Sequence, residues 1–126
     1  MTIRRIESGP RMSQAVIHGN TVYLAGQVGT PGKSVGDQTR DILATIERLL
    51  KEAGSEKSKI LQAIIWMADM KDFAEMNQAY KAFFGQSVPA RTSVQAGLGS
   101  LRVEIDAIAV RAPRKKSSRK STQRRK

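Results

Sequence analysis

Two charged residues, Arg91 and Glu104, lie within segments whose residue pattern is otherwise that of β-strands. Apolar or small residues alternate with polar ones around Val94 and again from Val103 onwards, which is the period-two pattern of strands. Removing an isolated charge from water is costly, so each residue needs a partner, a ligand or solvent. Two interpretations are open. Either Arg91 and Glu104 pair with each other or lie at a solvated edge, or they form a small anion site in which Arg91 binds a carboxylate and Glu104 handles a proton or positions water.

The pattern of apolar residues predicts the elements that must position these two charges. We predict that the strands around Arg91 and Glu104 form a hairpin over residues 91–110, joined by a turn at Gly99-Ser100. The apolar run at 60–68 is typical of a central strand covered on both faces. Trp66 within it is expected to lie in the core, with a place in the lining of the ligand pocket as the alternative. Further strands are predicted over residues 3–6, 12–18 and 21–25.

Helical spacing of apolar residues predicts two helices. The first covers residues 35–53 and ends at Gly54. The second follows Asp69, which we expect to cap it, and carries Phe73, Tyr80 and other large side chains on one packing stripe. The order of the elements predicts an α+β domain with a mixed sheet and two helices on one face. The second sheet face is also apolar, and a sheet of this kind needs a partner.

Four short stretches of the sequence carry a family resemblance over about residues 3–110. They are Met12–Val16 with Gly19–Gln27, Asp72–Asn77 followed by Tyr80 and Phe83-Phe84, Pro89-Ala90-Arg91 with Val94, and Val103-Glu104-Ile105. In this order they resemble the RidA/YjgF family, the reactive-intermediate imine deaminases that are also labelled endoribonuclease L-PSP-like. The resemblance implies a chorismate-mutase-like fold and a homotrimer with ligand sites in the clefts between subunits. A trimer interface would account for the second apolar face.

The resemblance also implies an activity, the hydrolysis of reactive 2-imino acids to 2-keto acids and ammonia without a metal or other cofactor. Arg91 and Glu104 then become the catalytic residues: Arg91 binds the substrate carboxylate and Glu104 holds a water near the imine carbon. Ser93 contributes a backbone N–H to the same carboxylate, while Met12 and Gly26 form the remaining walls. Many family members have a tyrosine where this chain has Arg11-Met12. The alternatives are a non-catalytic trimer that binds small carboxylates and a nucleic-acid-associated, endoribonuclease-like member.

Length and composition limit the class of protein. A chain of 126 residues is expected to form one domain, and the absence of cysteine excludes disulfides, thiolate metal sites and cysteine nucleophiles. No segment approaches the roughly 20 apolar residues of a membrane span. We therefore expect a cytoplasmic protein with no membrane partner.

Positive charge is concentrated at the C-terminus. The net charge is +11, but residues 1–110 contribute only +2 of it, and the other nine Lys or Arg lie between 111 and 126 with no acid among them. Such a segment predicts a folded domain over 1–110 and a disordered basic tail over 111–126. The tail is either a solubilising or incidental segment, or it binds nucleic acid or acidic partners through its charge. Any binding to nucleic acid should lack sequence preference, because the tail has no aromatic residues. Its candidate nucleic-acid contacts are Arg114, Lys115, Lys116, Arg119, Lys120, Arg124, Arg125 and Lys126.

Overall fold

The computed structural model describes residues 2–112. Its elements, in chain order, are β1 (Ile3–Ser8), β2 (Ser13–His18), β3 (Thr21–Val28), α1 (Val35–Glu52), β4 (Ile60–Met67), α2 (Phe73–Phe84), β5 (Ala90–Gln95) and β6 (Val103–Val110). The strands form one sheet, and α1 and α2 pack on each other and on one face of it. The predicted α+β class, with a mixed sheet and two helices, is confirmed.

The predicted hairpin over residues 91–110 is wrong. The sheet order is β1-β2-β3-β6-β4-β5, so β4 lies between β5 and β6. β4 and β5 are parallel and joined through α2, whereas all other neighbouring strands are antiparallel. Inserting β6 between β3 and β4 satisfies the backbone groups on both of its edges, which a terminal hairpin would leave half unpaired. The alternating pattern identified both strands but contained no information on which neighbour each would choose.

The core lies between the sheet and the two helices. Alternate residues of β6, from Val103 to Ala109, are buried against the helices, and the apolar stripe of α1 faces them. α1 begins where the Ser34 hydroxyl accepts a hydrogen bond from the backbone N–H of Asp37 at 3.1 Å. It ends before Gly54, whose φ of +83° is a conformation that glycine adopts readily.

The start of α2 differs from the prediction. The Asp69 carboxylate caps a short 3₁₀ turn at Met70–Asp72, accepting from the backbone N–H of Lys71 at 2.9 Å, and α2 begins only at Phe73. An N-cap residue serves the first N–H groups after it, so inserting this turn shifts the cap away from the helix proper. The predicted packing stripe of α2 is confirmed, with Tyr80 buried and Phe73 packed at the edge of the core.

The sheet face away from the helices, here called the open face, is also rich in apolar side chains. Tyr23 is 47% exposed and Val28 45% exposed. Trp66 is half-buried there and donates a hydrogen bond from Nε1 to Asp106 Oδ2 at 3.2 Å, so its predicted place in the core is wrong. Its neighbours along β4, Ile65 and Met67, are the ones that point into the core, because side chains alternate between the faces of a strand.

Within residues 2–112, neither helix is long and apolar enough to cross a membrane. The predicted tail lies outside the described residues except for Arg111 and Ala112, so its disorder and its eight candidate nucleic-acid contacts stay predictions.

Candidate functional site

The side chain of Arg91 projects from the sheet on the face that the helices cover. On β5 it pairs with Ala63 of β4, which pairs in turn with Ala107 of β6, and both alanines are buried beneath the helices. The guanidinium carbon of Arg91 lies 5.3 Å from the ring centre of Phe73 and 4.8 Å from that of Tyr80. Such cation–π contacts hold an arginine in place without neutralising its charge.

No carboxylate within residues 2–112 forms an ion pair with Arg91. The interpretation in which Arg91 and Glu104 pair with each other therefore fails within this chain. Burial raises the pKa of the Tyr80 phenol, and the positive charge of Arg91 opposes that rise. Tyr80 is consequently neutral at physiological pH, so it offers Arg91 no negative charge to pair with.

Two buried side-chain oxygens on α2, Asn77 Oδ1 and Tyr80 Oη, have no hydrogen-bond partner within the described chain. Phe73, Asn77 and Tyr80 follow one another at helical spacing, so they share the α2 face on which Arg91 stacks. The sequence prediction treated this stripe as packing only. The available signal was Asn77, a polar residue in a stripe of large apolar side chains.

Ser93 lies two residues after Arg91 on the same face of β5, opposite Ile65 of β4. β5 is an edge strand, with β4 on one side and no strand of residues 2–112 on the other. Some of its backbone N–H groups therefore point away from the sheet, where they can donate hydrogen bonds to a ligand or to another chain.

The side chain of Glu104 projects from the sheet on the open face, beside Trp66 of β4. Gly26 lies directly against it, since a Cβ added to Gly26 would be only 2.8 Å from Glu104 Cδ. The pairing of β3 with β6 shifts register between Leu24 and Gln27, and this irregularity brings Gly26 to that position. Any side chain at residue 26 would displace the carboxylate of Glu104, whereas the predicted part of Gly26 in the wall of a ligand pocket stays a prediction.

The segment before Glu104 is held by Gln38, a residue that the sequence analysis did not single out. Gln38 is 0% exposed. Its Oε1 accepts from the backbone N–H of Arg102 at 3.0 Å, and its Nε2 donates to the carbonyl of Lys33 at 3.0 Å. The Arg102 guanidinium also forms an ion pair with Asp72 at 2.8 Å. These contacts fix the entry to β6 between the two helices, and a buried glutamine at a helix start gave no distinctive sequence signal.

Within one chain, the residues predicted to form the site lie in three separate places. Arg91 and Ser93 lie on the helix face at the sheet edge, while Glu104 and Gly26 lie on the open face. Met12 is 46% exposed just before β2 and lines a shallow cleft of about 310 Å³ with residues such as Arg11 and Gln14. None of the other predicted site residues lines that cleft.

The sequence profile of the family described as Endoribonuclease L-PSP matches residues 2–111, almost all of the described chain. The chain belongs to this RidA/YjgF family. Among RidA/YjgF relatives, a RutC family protein of Haemophilus influenzae is 40% identical over 113 residues, which cover 87% of this chain and 97% of that one. The 2-iminobutanoate/2-iminopropanoate deaminase of Bos taurus is 37% identical over 111 residues, 80% of each chain. The family resemblance inferred from the four sequence stretches is confirmed.

Solved RidA/YjgF structures agree with the fold described above. A YjgF family protein from Neisseria meningitidis superposes with a TM-score of 0.85 at 41% identity, covering 89% of this chain and 97% of that one. The chain therefore shares its overall fold with this solved family member.

Proposed function

We propose that this RidA/YjgF member hydrolyses small 2-imino acids to 2-keto acids and ammonia. The observation that carries the proposal is the state of Arg91: its guanidinium is stacked on two aromatic rings and has no carboxylate partner within residues 2–112. Its planar set of donors matches a carboxylate, the group that all 2-imino acids share. Relatives named 2-iminobutanoate/2-iminopropanoate deaminase, such as the one from Mus musculus at 38% identity, support the substrate class.

The reaction requires few catalytic groups. A water oxygen adds to the carbon of the protonated imine while the water gives one proton to a base. The C=N π electrons move to nitrogen, and a neutral carbinolamine forms. Loss of one proton from the new hydroxyl and gain of one on nitrogen then breaks the C–N bond, releasing the keto acid and ammonia. A glutamate positioned near the imine carbon can hold the water and transfer these protons. We assign this role to Glu104, with Arg91 and the backbone N–H of Ser93 holding the carboxylate.

We further propose that the site is completed by a second copy of the chain in a homotrimer. Arg91 and Glu104 leave opposite faces of one sheet, so a small ligand that contacts both is best accommodated in a cleft between copies. One copy would supply Arg91 and Ser93 from its edge strand, and its neighbour would supply Glu104, Gly26 and Met12. The exposed apolar residues of the open face, including Tyr23 and Val28, favour an oligomer that covers them.

A coupled assay tests the activity. An amino-acid oxidase generates 2-iminopropanoate or 2-iminobutanoate, and the disappearance of the imine is followed with wild type, Arg91→Lys and Arg91→Ala. We expect wild type to accelerate hydrolysis and Arg91→Ala to lose on the order of 100-fold or more, because a buried carboxylate would lack its counter-charge. Arg91→Lys should be intermediate, since it keeps the charge without the fork of donors.

The same variants separate hydrolysis from ligand binding alone. Calorimetry with 2-ketobutanoate, the stable product, measures occupancy of the Arg91 site without turnover. Binding by wild type that is lost in Arg91→Ala, together with no acceleration of imine hydrolysis, would refute the deaminase proposal in favour of a non-catalytic carboxylate-binding protein.

A further inference from the structure

The cleft beside Met12 opens on the same face of the sheet as Glu104. It holds about 310 Å³, and Arg11 and Gln14 line it together with Met12. Ala15 of β2 is buried in the core beneath the helices, so Gln14, which precedes it, lies on the open face. The cleft and the carboxylate of Glu104 therefore belong to one surface of one copy.

The cleft lies close to the carboxylate of Glu104. That carboxylate lies over Gly26 of β3, since a Cβ at residue 26 would be 2.8 Å from Glu104 Cδ. β2, which carries Gln14, is the next strand beyond β3. Neighbouring strands lie about 4.8 Å apart, so a group bound at Gln14 is about one strand spacing from a ligand carbon held at Glu104.

The side-chain amide of Gln14 has a fixed orientation. Gln27 is 7% exposed, and its Nε2 donates to the backbone carbonyl of Ala25 at 3.0 Å and to Gln14 Oε1 at 2.9 Å. A carbonyl can only accept, so the contact with Ala25 identifies the nitrogen of Gln27, and the Gln14 atom that meets this nitrogen must be oxygen. The N–H groups of Gln14 are consequently turned away from Gln27, and they make no hydrogen bond within residues 2–112.

Arg11 carries the uncompensated charge of the cleft, because it forms no ion pair within the described part of the chain. Glu7 also lines the cleft, but Arg48 of α1 binds its carboxylate at 2.7 Å. Glu7 follows the buried Ile6, so regular alternation would direct its side chain to the open face. Its φ of +52° breaks that alternation and lets the carboxylate reach α1. A guanidinium and an amide therefore remain as hydrogen-bond donors in the cleft.

We propose that the preferred substrates are 2-imino acids with a second carboxylate, such as 2-iminosuccinate and 2-iminoglutarate, and that Arg11 and Gln14 bind this second carboxylate. The proposal rests on the deaminase function proposed above. One or two methylene groups separate the distal carboxylate from the imine carbon in these acids, so its oxygens lie about 3–5 Å from that carbon. This reach matches the single strand spacing between the position over Gly26 and Gln14.

The reaction itself is unchanged. Arg91 of a neighbouring copy binds the first carboxylate, water held by Glu104 adds to the imine carbon, and the 2-keto diacid and ammonia are released. The second carboxylate accepts hydrogen bonds from both donors of the cleft, whereas an apolar side chain accepts none. A site that hydrogen-bonds a substrate group discriminates against an analogue that lacks the group more strongly than an apolar pocket does.

The test compares 2-iminosuccinate, generated by an aspartate oxidase, with 2-iminobutanoate, which has a methyl group in place of the second carboxylate. The readout is the ratio of the two kcat/KM values for the full chain. We expect wild type to favour 2-iminosuccinate, and Arg11→Gln to lower the ratio about 10-fold because a charged hydrogen bond is lost.

Two further variants define the cause. Gln14→Glu has nearly the same shape and can still accept from Gln27, but it presents a carboxylate to the cleft, so it should also lower the ratio about 10-fold. The matched control, Arg4→Gln, removes an exposed arginine of β1 that does not line the cleft, and it should leave the ratio unchanged. Urea titrations of each variant establish that a change in the ratio does not come from unfolding.

The outcomes separate this inference from the deaminase proposal. Hydrolysis of 2-iminobutanoate with the same ratio in wild type and Arg11→Gln would overturn the second-carboxylate site and leave the deaminase proposal standing. If neither imine is hydrolysed, the deaminase proposal fails, and calorimetry with 2-ketoglutarate and 2-ketopentanoate decides whether the site exists. Tighter binding of 2-ketoglutarate to wild type, lost in Arg11→Gln, would support the site in a ligand-binding protein, and equal affinity of wild type for both would overturn it.

Discussion

The opposite orientation of Arg91 and Glu104 leads to a sharp prediction about mixed oligomers. Two variants, Arg91→Ala and Glu104→Gln, are each expected to lose on the order of 100-fold of imine hydrolysis when assayed alone. If the two residues of one site come from different copies, mixing the variants must restore part of the activity. Neither substitution repairs the other within a chain, so recovery can come only from sites shared between chains.

The expected recovery follows from counting complete sites. A site works only when the copy that supplies Arg91 is a Glu104→Gln chain and the neighbour that supplies Glu104 is an Arg91→Ala chain. With equal amounts and random assembly each condition holds half of the time, so about one quarter of the sites are complete. This fraction does not depend on how many copies close the ring.

The experiment mixes the two purified variants in equal amounts in denaturant, refolds them together and assays imine hydrolysis per site. Each variant refolded alone gives the baseline, and wild type refolded in the same way gives the full scale. A double variant carrying both substitutions, refolded with wild type, is the matched control. Every site that this double variant shares with a wild-type chain lacks at least one of the two residues. Only sites between two wild-type copies are complete, so about one quarter of full activity is expected.

Activity of the mixed variants at the baseline would refute the reasoning, provided that the variants exchange subunits. In that case Arg91 and Glu104 of one copy act together, and the ligand would have to extend around the edge of the sheet to contact both. Different affinity tags on the two variants, purified in sequence, establish that mixed oligomers were present in the assayed sample.

Three further outcomes follow from the contacts described above. Gly26→Ala should lower kcat by about 10- to 100-fold, because the new Cβ displaces the carboxylate of Glu104. The affinity for 2-ketobutanoate should change little, since the guanidinium of Arg91 is not displaced. An unchanged kcat in steady-state assays would contradict this prediction. Gln38→Met should lower the free energy of unfolding by about 1–3 kcal/mol in urea titrations, since it removes the hydrogen-bond partner of the Arg102 backbone N–H and of the Lys33 carbonyl. Gln38→Glu keeps the acceptor but buries a charge, so it should not restore the stability. The raised pKa of Tyr80 means that the unfolded chain releases the phenol proton at a lower pH than the folded chain, so the free energy of unfolding should fall as pH rises above the unfolded tyrosine value of about 10. Tyr80→Phe should remove this part of the pH dependence, measured by urea titrations between about pH 8 and 11. The same change of unfolding free energy with pH in both proteins would count against it.

The sequence predicted the elements of the fold well because each has a local signal. The apolar stripe of α1 and the alternation of β6 are properties of consecutive residues, and both helices and all six strands lie close to where their patterns placed them. Strand pairing is different. Whether β6 lies beside β5 or between β3 and β4 depends on backbone groups far apart in the chain, and alternation alone favoured the shorter connection.

Arg91 and Glu104 were identifiable because a charge inside a strand pattern is unusual, but their relation to each other was not. Both occur in alternating segments, and only the register through β4 shows that they point to opposite faces. Gln38 was missed because its role depends on two backbone groups, at residues 33 and 102, that converge only in the folded chain. The aromatic support of Arg91 was visible as a stripe on α2, although the stripe gave no indication of what it would contact.

β6 joins two regions of the domain that differ in chemistry. Glu104 lies at its beginning and Arg111 just past its end, seven residues further along an extended strand, which corresponds to about 23 Å. A paired strand in the middle of a sheet is stiff, so it acts as a rigid spacer of fixed length. A substitution at residue 111 or 112 therefore leaves the backbone position of the Glu104 carboxylate unchanged.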